Sequence, residues 1–141
     1  MIADPLIDSG FLYAVMDSND ERHAKVIEAL LSLRGKNIVL INAVIVETAY
    51  LLSERIGQSQ MRCFLEMISG SQFKFEYVKQ SDINRIREIL EKYEDAKLDF
   101  TDAAITAIAE RLNVRQILTV DRRDFGMIRP NHCEYFEILP S

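Results

Sequence analysis

The sequence predicts an α/β fold: three layers, α/β/α, around a mainly parallel sheet of about five strands. Three observations carry this. Short apolar runs alternate with segments whose apolar residues recur at helical spacing. The run Ile38-Val39-Leu40-Ile41 is apolar throughout, as in a strand covered on both faces. Glycine (5) and proline (3) are scarce, so connections are short and nothing marks a linker or a repeat. At roughly 150 residues per domain, 1–141 is expected to be a single domain.

Pro5-Leu6-Ile7 reads as a short first strand, with a turn at Ser9-Gly10 and a helix from Phe11 to Met16. Glu21 to Leu33 places Val26, Ile27, Leu30 and Leu33 on one helix face, and Gly35 ends it. After the strand Ile38–Ile41, Asn42 is a suitable cap for a helix from Ala43 to Arg55. Met61, Phe64, Leu65 and Ile68 then mark a helix closed by Gly70. Phe73 to Val78 alternates like a strand. Asp82 to Tyr93 aligns Ile83, Ile86, Leu90 and Tyr93 along a helix. Thr101 is a candidate cap for an Ala- and Ile-rich, buried helix running to Leu112. Gln116 to Val120 and Tyr135 to Leu139 read as the last strands. Strand–helix alternation implies right-handed crossovers, and ligands of such sheets bind beyond the carboxyl ends of the strands.

Hydrophobic residues make up 48% and charged residues 28%, which excludes a disordered chain. No apolar run approaches the ~18 residues of a membrane span. Met1 to Gly10 lacks a basic start and carries Asp4 and Asp8, against a secretory signal. Cys63 and Cys133 form neither a disulfide framework nor a zinc pattern, and are expected as free thiols in a reducing cytoplasm. The net charge of −5 weighs against generic electrostatic binding of nucleic acid. The segment Lys97–Arg129 is +1, leaving −6 elsewhere. A surplus of acid is also what a cation site produces.

Four acids fall at one edge of the predicted sheet. Asp8 follows the first strand and Glu47 lies in the second turn of the helix after Ile38–Ile41. Asp102 opens the Ala-rich helix, and Asp121 follows Gln116–Val120. Four carboxylates at one place repel and raise one another's pKa unless cations neutralise them. Hard oxygen ligands suit Mg²⁺ or Mn²⁺, ions matched to phosphoryl chemistry. Each acid also has a structural reading: Asp8 and Asp121 as turn residues, Asp102 as a favourable charge at a helix start. Glu47 stands among Val44, Ile45, Val46, Ala49, Tyr50, Leu51 and Leu52, so it is expected to be buried.

At these residues the sequence resembles the PIN domain family, and most the VapC-type toxins of toxin–antitoxin pairs. The specific parts are Leu98-Asp99-Phe100-Thr101-Asp102-Ala103-Ala104, Ala109-Glu110-Arg111-Leu112, and Ile117 through Asp121 to Phe125. Ile7-Asp8-Ser9, Asp20 with His23, and Val46-Glu47-Thr48 to Leu52 match further segments, so the likeness spans nearly the whole chain. It departs in its first strand, which is short and opens on Asp4-Pro5. The resemblance implies a metal-dependent nuclease. Asp8 and Asp102 would bind Mg²⁺ or Mn²⁺ directly, with Glu47 and Asp121 acting through water or as supports. It further implies an RNA substrate, a cognate antitoxin whose tail fills the cleft, a homodimer and a cytoplasmic location.

Other residues keep two readings. Asp99 lies near the metal or, the preferred reading, pairs with a base. Ser9 and Thr119 orient the acids or are simply satisfied hydroxyls. Arg122 and Arg123 contact RNA phosphates or pair with Asp124 and Glu110. Asp124 caps the turn after Asp121 rather than binding metal, and His23 settles a loop. His132 and Cys133 have no partner at ligand spacing and read as surface or tail residues.

The expected activity is a Mg²⁺- or Mn²⁺-dependent endoribonuclease, in which a metal-activated water attacks a phosphodiester in line. The alternative is a non-catalytic PIN-like module that binds RNA or protein. A phosphoacceptor signalling domain also puts acids at strand ends but needs a Lys after its last central strand. Asp121-Arg122-Arg123 offers none.

Overall fold

The computed structural model describes residues 4–140. Its elements in chain order are β1 (Leu6–Ile7), α1 (Ser9–Met16), α2 (His23–Ser32), β2 (Val39–Ile41), α3 (Asn42–Arg55), α4 (Gln58–Ser69), β3 (Lys74–Glu76), α5 (Gln80–Lys92), α6 (Phe100–Leu112), β4 (Gln116–Leu118), α7 (Arg122–Met127) and β5 (Glu137–Leu139). A single 3₁₀ turn, Glu94–Ala96, precedes α6. The five strands form one sheet in the order β3-β2-β1-β4-β5, and every pairing is parallel. Helices flank it, so the expected α/β architecture is the observed one.

The shortest strand takes the central place. Leu6 and Ile7 are fully buried, and Leu6 registers with Val39 on one side and Ile117 on the other. Such a strand has no exposed face, which explains why it lacks alternation. Phe11, Phe64 and Phe125 are the largest fully buried side chains of the core around it. In α6 the run Thr101–Ala109 is buried throughout. Its small side chains let the helix be covered on all sides.

Several local readings are corrected. Ser9-Gly10 is no turn but the first turn of α1, because Asp8 accepts a hydrogen bond from Ser9 N–H and caps the helix there. Gly10 permits a close approach: a Cβ on it would lie 3.0 Å from Val120 Cγ2. Asn42 does not cap α3. It is the first helical residue, and its Oδ1 instead accepts from Val78 N–H at 3.1 Å. Thr101 does not cap α6 either. Asp99 does, accepting from Asp102 N–H at 2.9 Å. The strands are shorter than the apolar runs that announced them, β3 and β5 by three and two residues respectively. Helix α7, six residues long, had no apolar period to reveal it.

Ion pairs fasten α5 to α6. Arg85 Nε donates to Glu110 Oε1 at 2.7 Å, and Arg111 Nε donates to Asp82 Oδ1 at 2.9 Å. Glu110 also accepts from Asn131 N–H at 2.8 Å. Its partner is therefore Arg85, not the neighbours of Asp121. Cys63 and Cys133 are free thiols. Among the described residues no helix is long and apolar enough to cross a membrane.

Candidate metal centre

The carboxyl ends of β1 and β4 lie side by side, so the residues after them meet. Asp8 N–H donates to Leu118 O at 2.8 Å, which seats Asp8 against the end of β4. Asp8 is buried, and its oxygens accept from Ser9 N–H at 2.8 Å and from Thr119 Oγ1 at 2.8 Å. Thr119 Oγ1 in turn accepts from Asp121 N–H at 2.9 Å. Ser9 Oγ donates to Glu47 Oε1. Ser9 and Thr119 thus both touch the acids, as the first of their two readings has it.

Helix termini place the remaining acids. Asp99 caps α6 and so sets the first turn that carries Asp102. Asp121 caps α7, accepting from Asp124 N–H at 3.0 Å, which turns Asp124 back toward it. Asp102, Asp121 and Asp124 each offer an oxygen within 4.8 Å of the others. Asp8, Glu47 and Asp99 line the same cleft of about 400 Å³ beside that trio.

Three expectations change here. Asp124, read from sequence as a turn cap only, belongs to the acidic trio, while Asp121 is the cap. The signal that could have found it is the spacing Asp121-x-x-Asp124, which suits an N-cap facing an acid in the first turn. Asp99 pairs with no base among the described residues. Its capping bond to α6 keeps it beside Asp102. Glu47 is half-buried rather than buried. Its apolar neighbours Val46 and Tyr50 are themselves 69% and 63% exposed, so they cover nothing.

The two arginines after Asp121 also separate. Arg122 is exposed and donates to Pro140 O at 2.8 Å, and Arg123 is exposed without a salt bridge among the described residues. Neither pairs with Glu110 or Asp124. His23 Nδ1 contacts Ala14 O at 2.7 Å, closing the loop between α1 and α2. His132 is half-buried rather than at the surface, and its Nε2 lies 2.5 Å from Val114 O.

The electrostatics are those of acids crowded together and withdrawn from water. Burial lifts Asp8 to about 6, and the charges of Glu47 and Asp121 add to this while the Thr119 and Ser9 bonds pull the other way. Burial, then the carboxylate of Asp99, pushes Asp102 well above the ordinary range, with Asp8 and Asp121 contributing. Burial and the adjoining Asp121 also raise Asp124. Three oxygen donors with no nitrogen or sulfur and no paired base fit a hard divalent cation.

The chain matches the PIN domain family over residues 6–128. It is 30% identical over 135 residues to the ribonuclease VapC26 of Mycobacterium tuberculosis, covering 96% of this chain and 99% of that one. Among solved structures it resembles M. tuberculosis VapC20, a sarcin-ricin loop cleaving toxin, with a TM-score of 0.79 at 19% identity, covering 87% of this chain and 94% of that one. VapBC2 from Rickettsia felis, solved bound to a DNA fragment from its promoter, gives a TM-score of 0.71 at 14% identity, covering 96% and 97% of the two chains. These last two likenesses concern the fold. The match along most of its length, with the acids at the carboxyl edge of an all-parallel sheet, places this chain in the PIN domain family, on the side represented by the VapC proteins.

Proposed function

We propose that this chain, a single PIN-like domain over 1–141, is an endoribonuclease dependent on Mg²⁺ or Mn²⁺. It acts in the cytoplasm as the toxin of a toxin–antitoxin pair. The observation that carries the reading is the convergence of Asp102, Asp121 and Asp124 within 4.8 Å, with Asp8 fixed beside them. The ribonuclease name of the relative in M. tuberculosis supports the choice of RNA.

Asp8, Asp102, Asp121 and Asp124 would hold the ion, with Glu47 close by through Ser9. The ion, when bound, lowers the pKa of a water and offsets the charge gathering on phosphorus. The chain's own groups do the rest. Thr119 and Ser9 fix the Asp8 carboxylate, so one orientation is preset. Asp99 and Asp121, by capping α6 and α7, fix the backbone from which Asp102 and Asp124 project. The raised pKa of Asp102 means that it takes up a proton when no cation faces it and gives it up when one does.

A partner is part of the reading. Val46 and Tyr50 on α3 and Phe100 on α6 are 69%, 63% and 48% exposed, and line a cleft that shares Glu47 with the acids. Apolar surface of that kind beside a site supports a covering protein, the antitoxin or a second copy in a homodimer.

The test is cleavage of total cellular RNA by the purified chain with Mg²⁺, with Mn²⁺ and with EDTA, beside Asp102→Asn. Discrete fragments from the wild type in metal alone support the ribonuclease. Equal cleavage by Asp102→Asn assigns the activity to a contaminant. Absence of cleavage by a preparation that mass spectrometry shows free of partner favours the binding-module alternative.

A further inference from the structure

Six carboxylates line the acidic cleft: Asp8, Glu47, Asp99, Asp102, Asp121 and Asp124. Arg22, Arg55 and Lys97 line it as well. Arg22 is committed to Asp20 through a two-pronged contact, at 3.0 Å on each side. Arg55 and Lys97 behave differently. Neither enters a salt bridge among the described residues, although both line a cleft with six acids. Elsewhere in this molecule Arg85, Arg87 and Arg111 all take carboxylate partners.

Arg55 is held in place by something other than a carboxylate, and Lys97 is exposed on an unusual backbone. The Arg55 guanidinium lies over the Tyr13 ring, 5.0 Å from its centroid. Tyr13 is buried, and its hydroxyl donates to Asp17 Oδ2 at 3.0 Å, so the platform is rigid. Stacking orients the guanidinium, which faces the Tyr13 hydroxyl and leaves its other donors without a carboxylate partner. Lys97 sits at φ 57° and ψ 44°, a left-handed conformation that favours glycine and costs a lysine energy. That backbone, two residues before the cap Asp99, brings a long cation to the mouth of the cleft.

A nucleic-acid strand must approach a cleft lined by six carboxyl groups. A divalent ion offsets only two negative charges. The strand's phosphates next to the one being cut still need positive partners close by. Resting on the ribonuclease reading above, we propose that Arg55 and Lys97 form a phosphate-binding subsite that positions the RNA strand over the acids. They are positioning residues: they grip phosphates flanking the cut and take no part in the bond changes.

The geometry supplies clean variants. Lys97→Gly removes the cation and relaxes the left-handed backbone, so the fold is kept or improved. Lys97→Arg restores the charge. Arg55→Gln removes charge but keeps length, and Arg55→Lys keeps the positive charge at the end of α3. The experiment measures KM and kcat of each variant on an RNA that the wild type cuts in Mn²⁺. It also measures the salt dependence of binding of that RNA to the Asp102→Asn background.

Lys97→Gly and Arg55→Gln are each expected to raise KM by about tenfold, with kcat changed by less than about twofold. Each should flatten the salt slope of binding by roughly 0.7 per lost phosphate contact. Lys97→Arg should restore KM. Unchanged KM and salt slope in both variants, with the wild type active, overturn the subsite and leave the ribonuclease standing. A fall in kcat at constant KM overturns it too, by making the residues catalytic. No metal-dependent cleavage of any RNA by the partner-free wild type removes the reading beneath it.

Discussion

Thr119 Oγ1 donates to Asp8 Oδ2 at 2.8 Å across 111 positions of sequence, and the same oxygen accepts from Asp121 N–H. One fully buried hydroxyl therefore fixes two acids at adjacent strand ends. Thr119→Val keeps the shape and strips both bonds. It should cost about 1–3 kcal/mol of stability by leaving buried polar groups unpaired. It should also lower metal affinity or activity by roughly tenfold or more. Thr119→Ser should recover both. Denaturant melts and metal titrations of the two variants check this.

Asp8 links metal, pH and stability. Between its ordinary value of 3.8 and about 6, the folded chain holds a proton that the unfolded chain has lost. Stability of the metal-free protein therefore falls as pH rises through that window. Asp102, also raised, extends the fall toward higher pH. In EDTA the melting temperature should drop from about pH 5 to about pH 8. With Mn²⁺ the order should reverse, because the cation binds the deprotonated acids. Melting curves at several pH values, with and without the ion, decide it.

Asp99 carries two roles that substitution can part. Asp99→Ala removes the cap of α6 and should cost about 1 kcal/mol. Asp99→Asn keeps a capping oxygen but removes the charge beside Asp102. The pKa of Asp102 should then fall toward the ordinary range, since Asp99 is its second cause after burial. Carboxylate titration followed by NMR in both variants reads this directly.

Away from the site, Arg111 holds Asp82, whose side chain is 5% exposed. Burial alone would lift Asp82, but the guanidinium bonds and the Lys79 N–H keep it below the usual range. Arg111→Ala leaves that carboxylate stranded and should cost about 2–3 kcal/mol. Arg111→Met with Asp82→Leu should lose less than either single change. Chemical denaturation of Arg111→Ala, of the two single changes and of the double variant checks the order.

The central strands and the acids after them were legible because hydrophobic runs end abruptly at Asp8, Asn42 and Thr119. Burial on both faces wrote Leu6-Ile7 and Val39-Leu40-Ile41 as unbroken apolar runs. What stayed hidden depends on caps and contacts. Asp99, Thr101 and Asp102 are equivalent as cap candidates in sequence, and only the backbone at Asp99 settles which one bonds. Asp124 looked like a turn residue because α7 is too short for a period, and the trio it joins comes from two separate helix ends. Glu47 seemed buried because Val46 and Tyr50 are apolar, yet both face outward beside the cleft. Lys97 and Arg55 left no sequence signal, since a left-handed backbone and a stacked guanidinium exist only in the fold.

Asp8, Asp102, Asp121 and Asp124 are expected to hold a divalent ion. Calorimetric titration of the partner-free chain with Mn²⁺ tests it most directly, run in two buffers of different ionisation enthalpy. Saturable binding with proton release near neutral pH is expected, with loss of that binding in Asp102→Asn. Binding unchanged in Asp102→Asn, or no binding by the wild type at millimolar Mn²⁺, would contradict it.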